Sequence, residues 1–369
     1  MELSCAKVTA KKAESVRKKL FDLGLLAKGY KIIRNADGFI YFPLIAGAKI
    51  PTALKVTIAR KEFELHSTQA TGSVKEALAA RHALCDADVA KVIRSYDCVG
   101  DIAIAEIPDE LASKQAIIAQ AIMAQNGHIK VVARKDSPML GEYRVRKMTV
   151  IAGENRTTTL YRESGCSFEF DAAKVYFSVR LSHERLRIAS LVKPKEKILA
   201  LFAGVGPFAI VIAKRKPKTE IVGIELNPDA TKSFEKNIVL NKTSNVKAIL
   251  GDVKKVVPKD YAGWADRIIM PLPHSAGDFL DAALIGANPK GCTIHFYGFV
   301  ETKAKGQTEF HKDIYAPLVS MIKEKCRKAG MSCRITGKRV VRPFAAYVVQ
   351  VVVDFKVMKE NTLFHNQHP

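Results

Sequence analysis

The chain has 369 residues, of which 48% are hydrophobic and 26% are charged, and its formal net charge is +22. This length allows two or three domains of roughly 100–200 residues with hydrophobic cores, and the composition excludes a chain that is disordered throughout. The excess of basic residues predicts a polyanionic partner or surface.

The positive charge is segregated along the chain. Residues 1–65 carry a net charge of +7, residues 73–127 carry −3, residues 128–195 carry +7 and residues 196–369 carry +11. A patterned basic surface favours binding to a phosphate backbone, because neutralised phosphates release their condensed counterions. The alternative is a set of solvated, lysine-rich helix faces without a partner.

The seven cysteines are scattered and include no C-x-x-C pair, so we expect neither a disulfide framework nor a metal site. The N-terminus lacks a continuous apolar segment, and no window approaches 18 consecutive apolar residues. These features predict a cytoplasmic protein with no membrane partner. A monomer is the default expectation for its oligomeric state.

Residues 1–45 are predicted to form a small N-terminal α/β module. A helix is predicted over residues 11–26, with lysines opposite an apolar face of Ala13, Val16, Leu20 and Leu23. A hairpin follows, in which the segment KII is the first strand and Phe39–Pro43 is the second. Residues 46–73 are rich in small and polar residues and are predicted to be a linker.

Residues 74–178 are predicted to form an α+β middle domain. Its expected helices cover residues 74–94 and 109–125. Its expected strands cover residues 102–107, 129–135, 148–153, 158–163 and 166–170, with a basic turn at residues 141–147.

Residues 179–369 are predicted to form a doubly wound α/β domain, because strands and helices alternate strictly. An apolar strand (Ile198–Leu201) leads into a turn with Gly204 and Gly206, and a helix follows. Glycines let the backbone approach a ligand, and the helix N-terminus offers unpaired N–H groups. Glu225 ends the next strand, where its carboxylate can accept both ribose hydroxyls.

A glycine turn with a distal acid also suits a dinucleotide, but three features point elsewhere. Ala209 replaces the third glycine of G-x-G-x-x-G, Pro207 removes one N–H, and Asp252 follows the third strand, where an acid suits an adenine amino group. Two long C-terminal strands fit an S-adenosylmethionine methyltransferase better than a dehydrogenase. The predicted hairpin consists of Cys333–Val341, a turn at Arg342 and Pro343, and Ala345–Phe355.

Glu184 is a candidate base upstream of the cofactor strand. A helix over residues 180–192 would present one face with Leu181, Arg185, Ile188 and Val192. Glu184 lies on the flank of that face, where a partly desolvated carboxylate could act as a base. The alternative is an ion pair with Arg180 or Arg187 at helical spacing.

Three segments resemble one family. They are DAAKVYFSVRLSHERLRIA (Asp171–Ala189), FAGVGPF (Phe202–Phe208) and RIIMPLP (Arg267–Pro273). This order is similar to that of the archaeal and eukaryal tRNA (guanine-37-N1)-methyltransferases, and the likeness extends over almost the whole chain. The resemblance implies a Rossmann-like S-adenosylmethionine-dependent domain behind an RNA-binding middle domain. It also implies a mobile N-terminal domain that inspects the tRNA elbow.

The resemblance implies roles for individual residues. The general base that removes the guanine N1 proton falls on Glu184, and the arginine that steadies the base or its phosphate falls on Arg144. The implied substrate contacts are Arg144, Tyr176, Phe177, Arg185 and, on the N-terminal helix, Lys18 and Lys19. The implied cofactor positions are Arg180, Phe202, Ala203, Gly204, Gly206, Glu225, Leu226, Asp252 and Val253.

Pro271 departs from the family pattern. In the guanosine-methylating enzymes that this chain resembles, the motif reads M-N-L-P, whereas this chain has Met270-Pro271-Leu272-Pro273. Proline offers no side-chain acceptor, and a more apolar wall could admit a bulkier tricyclic base. We therefore interpret Pro271 as a catalytic-site residue of the archaeal subgroup that also methylates carbon 7 of 4-demethylwyosine.

Two alternatives remain open at this stage. A related aminocarboxypropyl transferase uses the same cofactor on the same nucleotide but attacks a different carbon of the sulfonium. A tRNA-binding protein without catalytic activity is the other alternative. The YFSVRLSHER segment and the N-terminal module favour methyl transfer.

Overall fold

The computed structural model describes residues 2–27, 30, 32–34, 38–48, 50–54, 56–63, 74–80, 84–92, 96–137, 141–273, 275–302 and 313–360. The chain forms two compact units. The first contains residues 1–89 with 124–127, and the second contains residues 90–123 with 128–369. The predicted boundary at residues 178 and 179 therefore does not separate two compact units.

The N-terminal unit begins with an antiparallel sheet and a helix. Helix α1 (Ala13–Asp22) buries Ala13, Val16 and Leu20 as predicted, but Leu23 lies beyond its end and is exposed. The described strands pair in the order β2-β3-β1-β4, with bounds β1 (Glu2–Thr9), β2 (Ile33–Arg34), β3 (Phe39–Pro43) and β4 (Thr57–Glu62). Strands β2 and β3 confirm the predicted hairpin, although its turn at residues 35–37 lies outside the described residues.

The predicted linker over residues 46–73 is wrong in part. Strand β4 lies within it and pairs along β1, from Lys7 opposite Thr57 to Glu2 opposite Glu62. Its sequence, TIARKE, is largely exposed and contains no apolar run, so hydrophobic periodicity does not reveal it. Strand β1 was missed for a similar reason, because ELSCAKVT mixes charged, small and apolar residues. Residues 64–73 lie outside the described part of the chain.

The segment after the N-terminal sheet is α+β, as predicted. Its helices are α2 (Val74–Ala80), α3 (Asp86–Lys91) and α4 (Gln115–Gln125), so the predicted helix over residues 74–94 is two helices in the described residues. A sheet in the order β5-β6-β7-β8 and a separate hairpin complete it. The strands are β5 (Asp97–Val99), β6 (Ile102–Ala105), β7 (Val131–Lys135), β8 (Met148–Gly153), β9 (Thr158–Glu163) and β10 (Cys166–Asp171).

The main sheet confirms the predicted α/β class. Its described strands have the order β13-β12-β11-β14-β15-β17-β16, in which the first five are parallel and β17 is antiparallel to both neighbours. The strands are β11 (Lys197–Leu201), β12 (Glu220–Glu225), β13 (Val246–Leu250), β14 (Arg267–Met270), β15 (Cys292–Glu301), β16 (Met331–Ala345) and β17 (Val348–Lys359). The helices are α5 (Ser182–Leu191), α6 (Pro207–Arg215), α7 (Pro228–Asn241), α8 (Val253–Asp260), α9 (Leu280–Gly286) and α10 (Ala316–Lys328).

The predicted turn at Arg342 and Pro343 is wrong, because β16 continues to Ala345. Proline cannot donate a ladder hydrogen bond, so it is confined to edge strands and bulges. Strand β16 is the edge strand of this sheet, and its register with β17 shifts on both sides of Arg342 and Pro343. The strand accommodates the proline without ending.

Helices cover both faces of the main sheet, and each face has its own core. On one face, residues of α5, α6 and α7 pack on the sheet in one continuous cluster with residues of β6 and β10, such as Ile102 and Phe168. On the other face, residues of α8, α9 and α10 pack against the sheet. The sheet of β5–β8 and the main sheet thus share a hydrophobic core.

Two asparagines of α7 bind the outer edge of β10. The Asn241 side chain accepts from the Ser167 N–H (2.8 Å) and donates to the Ser167 carbonyl (2.6 Å). The Asn237 side chain accepts from the Glu169 N–H (2.7 Å) and donates to the Val205 carbonyl (3.1 Å). These amides supply the partners that a further strand would give, so buried backbone groups of β10 remain satisfied.

We expect Asn241→Ala to lower the free energy of unfolding by about 2 kcal/mol. The substitution leaves two backbone groups of Ser167 without their partners in a part-buried position. Urea unfolding followed by circular dichroism measures the change. Lys236→Ala, at an exposed position on the same helix, is the matched control and should change the value by under about 0.5 kcal/mol. Equal effects of the two substitutions would contradict this role of Asn241.

Candidate active site

The glycine turn after β11 is fixed by steric requirements. Gly206 has φ +87° and precedes α6, whose first residue is Pro207. A Cβ added at Gly206 would lie 2.1 Å from the Phe234 ring, so no other residue fits without a shift of that ring. Gly204 and Phe202 also have positive φ angles, of 56° and 55°. Because Gly204 and Gly206 have no side chains, the turn leaves backbone atoms accessible to a ligand at the carboxyl end of β11.

Glu225 joins this turn to the end of β12. Its carboxylate accepts from the Gly204 N–H (2.7 Å) and from the Asn227 N–H (2.9 Å). Burial raises its pKa, and these backbone hydrogen bonds oppose that shift. A carboxylate fixed at the carboxyl end of a parallel strand fits the two hydroxyls of a ribose.

The remaining predicted cofactor positions lie along the same edge of the sheet. Asp252 follows β13 and caps α8 by accepting from the Lys254 N–H (2.9 Å). Val253 is buried, whereas Leu226 is partly buried. Phe202 packs edge-on against Phe279, with ring centroids 4.8 Å apart. Ala203 is buried beside the turn. The hydrogen-bond acceptors at this edge, the carboxylates of Glu225 and Asp252, therefore fit an adenosine-containing cofactor.

Arg144 and Tyr176 lie together beside the glycine turn. The Arg144 guanidinium is 5.7 Å from the centroid of the Tyr176 ring, and a Cβ at Gly204 would lie 3.7 Å from the Tyr176 carbonyl oxygen. Burial lowers the pKa of Arg144. Among the described residues, no carboxylate lies within ion-pair distance of this guanidinium. A partly buried cation without a carboxylate suits a polar or anionic substrate group.

Glu184 is buried and its carboxylate is held from two sides. Arg187, one turn along α5, donates through Nη2 to Oε1 (2.7 Å) and through Nε to Oε2 (2.9 Å). Tyr297 of β15 donates its hydroxyl proton to Oε1 (2.6 Å). Burial and the neighbouring Glu184 raise the pKa of Tyr297 well above its usual range, so this hydroxyl stays a donor. The ion pair with Arg187 that the sequence offered as an alternative is present.

Strand register places Tyr297, which binds Glu184, next to Pro271. Met270, the last residue of β14, pairs with Phe296 of β15, so Tyr297 is level with Pro271 at the carboxyl edge of the sheet. The hydroxyl of Tyr297 therefore holds Glu184 at the edge where the cofactor positions lie. The side chain of Arg339, on β16, approaches from the other side, with Nη1 3.7 Å from Glu184 Oε2.

The ion pair of Arg187 continues into a buried chain of polar contacts. Arg187 Nη1 donates to Asp354 Oδ2 (2.6 Å), and Asp354 Oδ1 lies 2.6 Å from His295 Nδ1. His295 Nε2 lies 2.6 Å from Arg267 Nη1, and Arg267 pairs with Glu196 (2.7 Å). Arginine can only donate, so His295 accepts at Nε2 and donates from Nδ1 to Asp354. The chain orients Arg187 and, through it, Glu184.

Three predicted site residues have structural partners. Arg185 is 2% exposed, and its Nη1 donates to both carboxylate oxygens of Glu163 at 2.7 Å, while its contact with the substrate stays a prediction. Phe177 stacks on Phe170 (4.7 Å) within a cluster of aromatic rings. Arg180 pairs with Asp97 (2.7 Å). The helical face that buries Arg185 was predicted, but its partner on β9 was not.

Sequence reasoning missed Tyr297, Asp354, His295 and Asn227. Asn227 caps α7 and donates to the Lys174 carbonyl (2.9 Å), which fixes the segment before Tyr176. The available signal was polar residues inside otherwise apolar strands, as in CTIHFYGFVE and AAYVVQVVVDF. Buried polar groups require partners, so such residues indicate a network.

Lys18 and Lys19 are exposed on α1 in the N-terminal unit, opposite the buried Val16 and Leu20. Within the described ranges, no group of three or more His, Cys, Asp or Glu side chains could hold a metal ion. In the same part of the chain, no helix is long and apolar enough to cross a membrane.

Family models match three consecutive stretches of the chain. Residues 159–326 match the TRM5/TYW2 methyltransferase domain, residues 74–157 match the TYW2 N-terminal domain, and residues 5–51 match the tRNA methyltransferase 5 N-terminal domain. Together these matches span both compact units.

Individual proteins are similar over most of their length. The tRNA (guanine(37)-N(1))-methyltransferase Trm5b of Pyrococcus abyssi is 38% identical over 357 residues, which is 95% of this chain and 98% of that protein. The tRNA (guanine(37)-N(1))/4-demethylwyosine(37)-methyltransferase Taw22 of Nanoarchaeum equitans is 43% identical over 260 residues, which is 57% of this chain and 85% of that protein.

Solved structures are also similar. A complex of aTrm5 with tRNALeu has a TM-score of 0.65 and 32% identity, covering 95% of this chain and 99% of that one. The TYW2 protein of M. jannaschii in complex with AdoMet has a TM-score of 0.56 and 26% identity, covering 72% of this chain and 100% of that one.

The buried chain of contacts predicts that the protein loses stability in mild acid. Burial lowers the pKa of His295 below its usual value of about 6.5, so the folded protein keeps it neutral. The unfolded chain binds a proton there below about pH 6.5, so the free energy of unfolding falls by about 1.4 kcal/mol per pH unit for this group. Burial acts to raise the pKa of Asp354, but His295 and Arg187 lower it to about 2. Asp354 therefore reduces the free energy of unfolding further only below about pH 4, where its carboxylate becomes protonated in the unfolded chain.

Urea unfolding between pH 8 and pH 5 measures this slope. We expect His295→Gln to reduce the slope below pH 6.5 by about one proton, and His183→Gln, at an exposed histidine, is the matched control. An unchanged slope in His295→Gln would show that this histidine does not carry the acid sensitivity.

Proposed function

The chain belongs to the TRM5/TYW2 methyltransferase family, and on this basis we propose that it methylates N1 of guanosine 37 in the anticodon loop of tRNA. The observation that carries the proposal is the buried Glu184 carboxylate, which Tyr297 and Arg187 hold at the carboxyl edge of the sheet beside the cofactor positions. The relative with the same activity in its name is similar over almost its full length. The substrate of this enzyme is tRNA.

The cofactor of the proposed enzyme is S-adenosylmethionine. Glu225 would hold the ribose hydroxyls, Asp252 would accept from the adenine amino group, and the backbone from Phe202 to Gly206 would line the remainder. The cofactor supplies an electrophilic methyl group on a sulfonium. A buried carboxylate and a glycine turn at the carboxyl ends of β11 and β12 support this assignment.

Glu184 acts as the general base in this proposal. Guanine N1 is a poor nucleophile while it carries a proton, so removal of that proton makes its electron pair available. Oε1 of Glu184 already accepts from Tyr297 and Arg187, whereas Oε2 accepts from Arg187 at 2.9 Å and faces Arg339 at 3.7 Å. Oε2 is therefore the atom that we expect to take the N1 proton.

Arg144 and Tyr176 hold the target base in this proposal. The base must leave the stack of the anticodon loop to reach the cofactor, and an aromatic ring with a neighbouring cation suits an extruded base. The Arg144 guanidinium above the Tyr176 ring, next to Gly204, supports this assignment. A cation near guanine O6 would also stabilise the negative charge that develops when N1 loses its proton.

Lys18 and Lys19 contribute to tRNA binding in the N-terminal unit. Both are exposed on the polar face of α1, and neutralised phosphates give a salt-dependent affinity. The proposed enzyme acts in the cytoplasm as a monomer. Its seven cysteines form no disulfide in the structure, which suits a reducing compartment.

A nucleoside digest of treated tRNA tests the proposed function. Wild-type protein, tRNA and labelled S-adenosylmethionine should yield 1-methylguanosine at position 37 and S-adenosylhomocysteine as the by-product. Methylthioadenosine instead would identify aminocarboxypropyl transfer. Intact tRNA binding without any product would identify a binding protein.

In the same assay, Glu184→Gln should lower the single-turnover rate by roughly 10²- to 10⁴-fold, because the amide cannot take the proton. Its affinity for tRNA should stay within about twofold of wild type. Glu169→Gln, at an exposed carboxylate of β10, is the matched control and should keep the wild-type rate. A near-normal rate in Glu184→Gln would remove Glu184 as the base.

A second activity, methylation of carbon 7 of 4-demethylwyosine, is part of the proposal. Pro271 follows β14 directly and is level with Tyr297, so it borders the space next to Glu184. Proline offers no side-chain hydrogen bond, and an apolar wall suits a larger tricyclic base. The relative Taw22, whose name includes both activities, supports this step.

We expect Pro271→Asn to shift the ratio of the two products toward 1-methylguanosine by at least about tenfold, a change of about 1.4 kcal/mol in relative barrier. Two tRNAs are compared, one with guanosine 37 and one with 4-demethylwyosine 37. Mass spectrometry of the digests gives both rates. Pro273→Asn is the matched control two residues along and should keep the wild-type ratio. Absence of label in the tricycle with wild-type protein would exclude the second activity.

A further inference from the structure

The C-terminal hairpin extends beyond the carboxyl ends of the parallel strands. Strand β14 ends at Met270 opposite Phe296, but β15 continues to Glu301, which pairs with Val348 of β17. The last residues of β15, with β17 and β16 beside them, therefore form a wall at the edge of the sheet where Glu184 lies. Tyr297 and Arg339 of this wall contact Glu184, but the residues beyond Tyr297 on β15 have no part in the proposed chemistry so far.

Two cross-strand rows of the wall share one face. Tyr297, Val352 and Arg339 form the first row, and Phe299, Gln350 and Arg342 form the second. Residues directly opposite each other in antiparallel strands project to the same face, as do residues two apart in one strand. Tyr297 and Arg339 both reach Glu184, so both rows face the candidate active site.

A bulge places Arg342 on this face. Arg339 and Arg342 are three residues apart, so in a regular strand they would project to opposite faces. The register with β17 shifts between Val340 and Arg342, and this extra residue restores Arg342 to the face of Arg339. A second shift, between Pro343 and Ala345, falls at Phe344.

The second row carries an aromatic and cationic surface. The rings of Phe299 and Phe344 lie 4.1 Å apart between centroids, and the Arg342 guanidinium lies 5.7 Å from the Phe344 centroid. Arg342 Nε donates to Gln350 Oε1 (2.8 Å), which fixes its position. Phe344 is 46% exposed, so part of this aromatic residue reaches solvent beside Arg342.

We propose that Arg339, Arg342 and Phe344, the hairpin platform, bind a nucleotide of the tRNA anticodon loop that neighbours the target base. Phe344 stacks on the base of that nucleotide, and Arg342 contacts its phosphate. This inference rests on the proposed function. Exposed aromatic rings interleaved with arginines are the usual surface for single-stranded nucleic acid, because rings stack bases and cations neutralise phosphates.

The position of the platform specifies a neighbouring nucleotide. The second row lies two residues, about 7 Å, further along β15 than the row that holds Glu184. The target base occupies the space beside Glu184, Arg144 and Tyr176. The platform therefore contacts the RNA strand on one side of the target base. A contact to the neighbouring nucleotide would help to hold the loop once the target base has left the stack.

Binding and single-turnover rates of three variants test the platform. Phe344→Ala and Arg342→Ala should each weaken tRNA affinity at least about fivefold, and Phe344→Trp should keep the wild-type affinity, because any large ring can stack. Arg342→Ala should also reduce the salt dependence of binding by about one counterion. Arg334→Ala is the matched control. Arg334 is exposed on the same strand but lies opposite Lys356, far from the carboxyl ends of the parallel strands. It should behave as wild type.

A second readout gives the location. 2-Aminopurine placed at position 36 or 38 of the tRNA should be quenched when wild-type protein or Phe344→Trp binds, and Phe344→Ala should lose this quenching. Equal affinity and quenching in Phe344→Ala and Arg334→Ala would show that the ring pair only packs the hairpin. Absence of methylation at guanosine 37 by wild-type protein would instead overturn the proposed function, whatever the variants bind.

Discussion

The position of Glu184 depends on Arg187. One guanidinium pairs with Glu184 on its own helix and with Asp354 on β17, so α5 is tied to the sheet by charge as well as by apolar packing. Buried ion pairs contribute little net stability compared with apolar residues of the same shape, but removal of one partner costs about 3–5 kcal/mol. The network therefore gives the site one geometry rather than a larger stability. His295 and Arg267 extend this constraint across β15 and β14.

The same strands serve the interior and the surface. The buried Tyr297 hydroxyl donates to the Glu184 carboxylate. Phe299, in the next row on the same face, lies closer to solvent and packs against Phe344. An antiparallel pair can run past its parallel neighbours because its ladder needs no crossover helix at that end. The hairpin that distinguishes this sheet from a dinucleotide-binding sheet thus supplies both the support for Glu184 and a wall at its side.

Local features of the site could be predicted from the sequence, and distant pairings could not. The glycine turn and Glu225 follow from a strand, a tight turn and a helix within a short segment, because steric rules fix them locally. The partners of Glu184 and Arg187 on β15 and β17 lie 113 and 167 residues away, and one sequence holds no signal for such pairings. Arg185 shows the same limit: helical spacing predicted its buried face, but only Glu163, on β9, explains why a guanidinium is buried there. The ion pair of Glu184 with Arg187 does not exclude a role as a base, because an ion pair that fixes a carboxylate is compatible with proton transfer to it.

The bulges of β16 show why a pattern of alternation fails at a functional edge. Side chains in a strand alternate with a period of two, so each inserted residue exchanges the two faces for everything that follows. Counting from Arg339 without the shift would assign Arg342 to the opposite face, away from Glu184, and Pro343 would end the strand. An edge strand tolerates both departures, because no other strand among the described residues pairs with its outer side. The irregular residues are therefore those that turn a structural hairpin into a surface facing the active site.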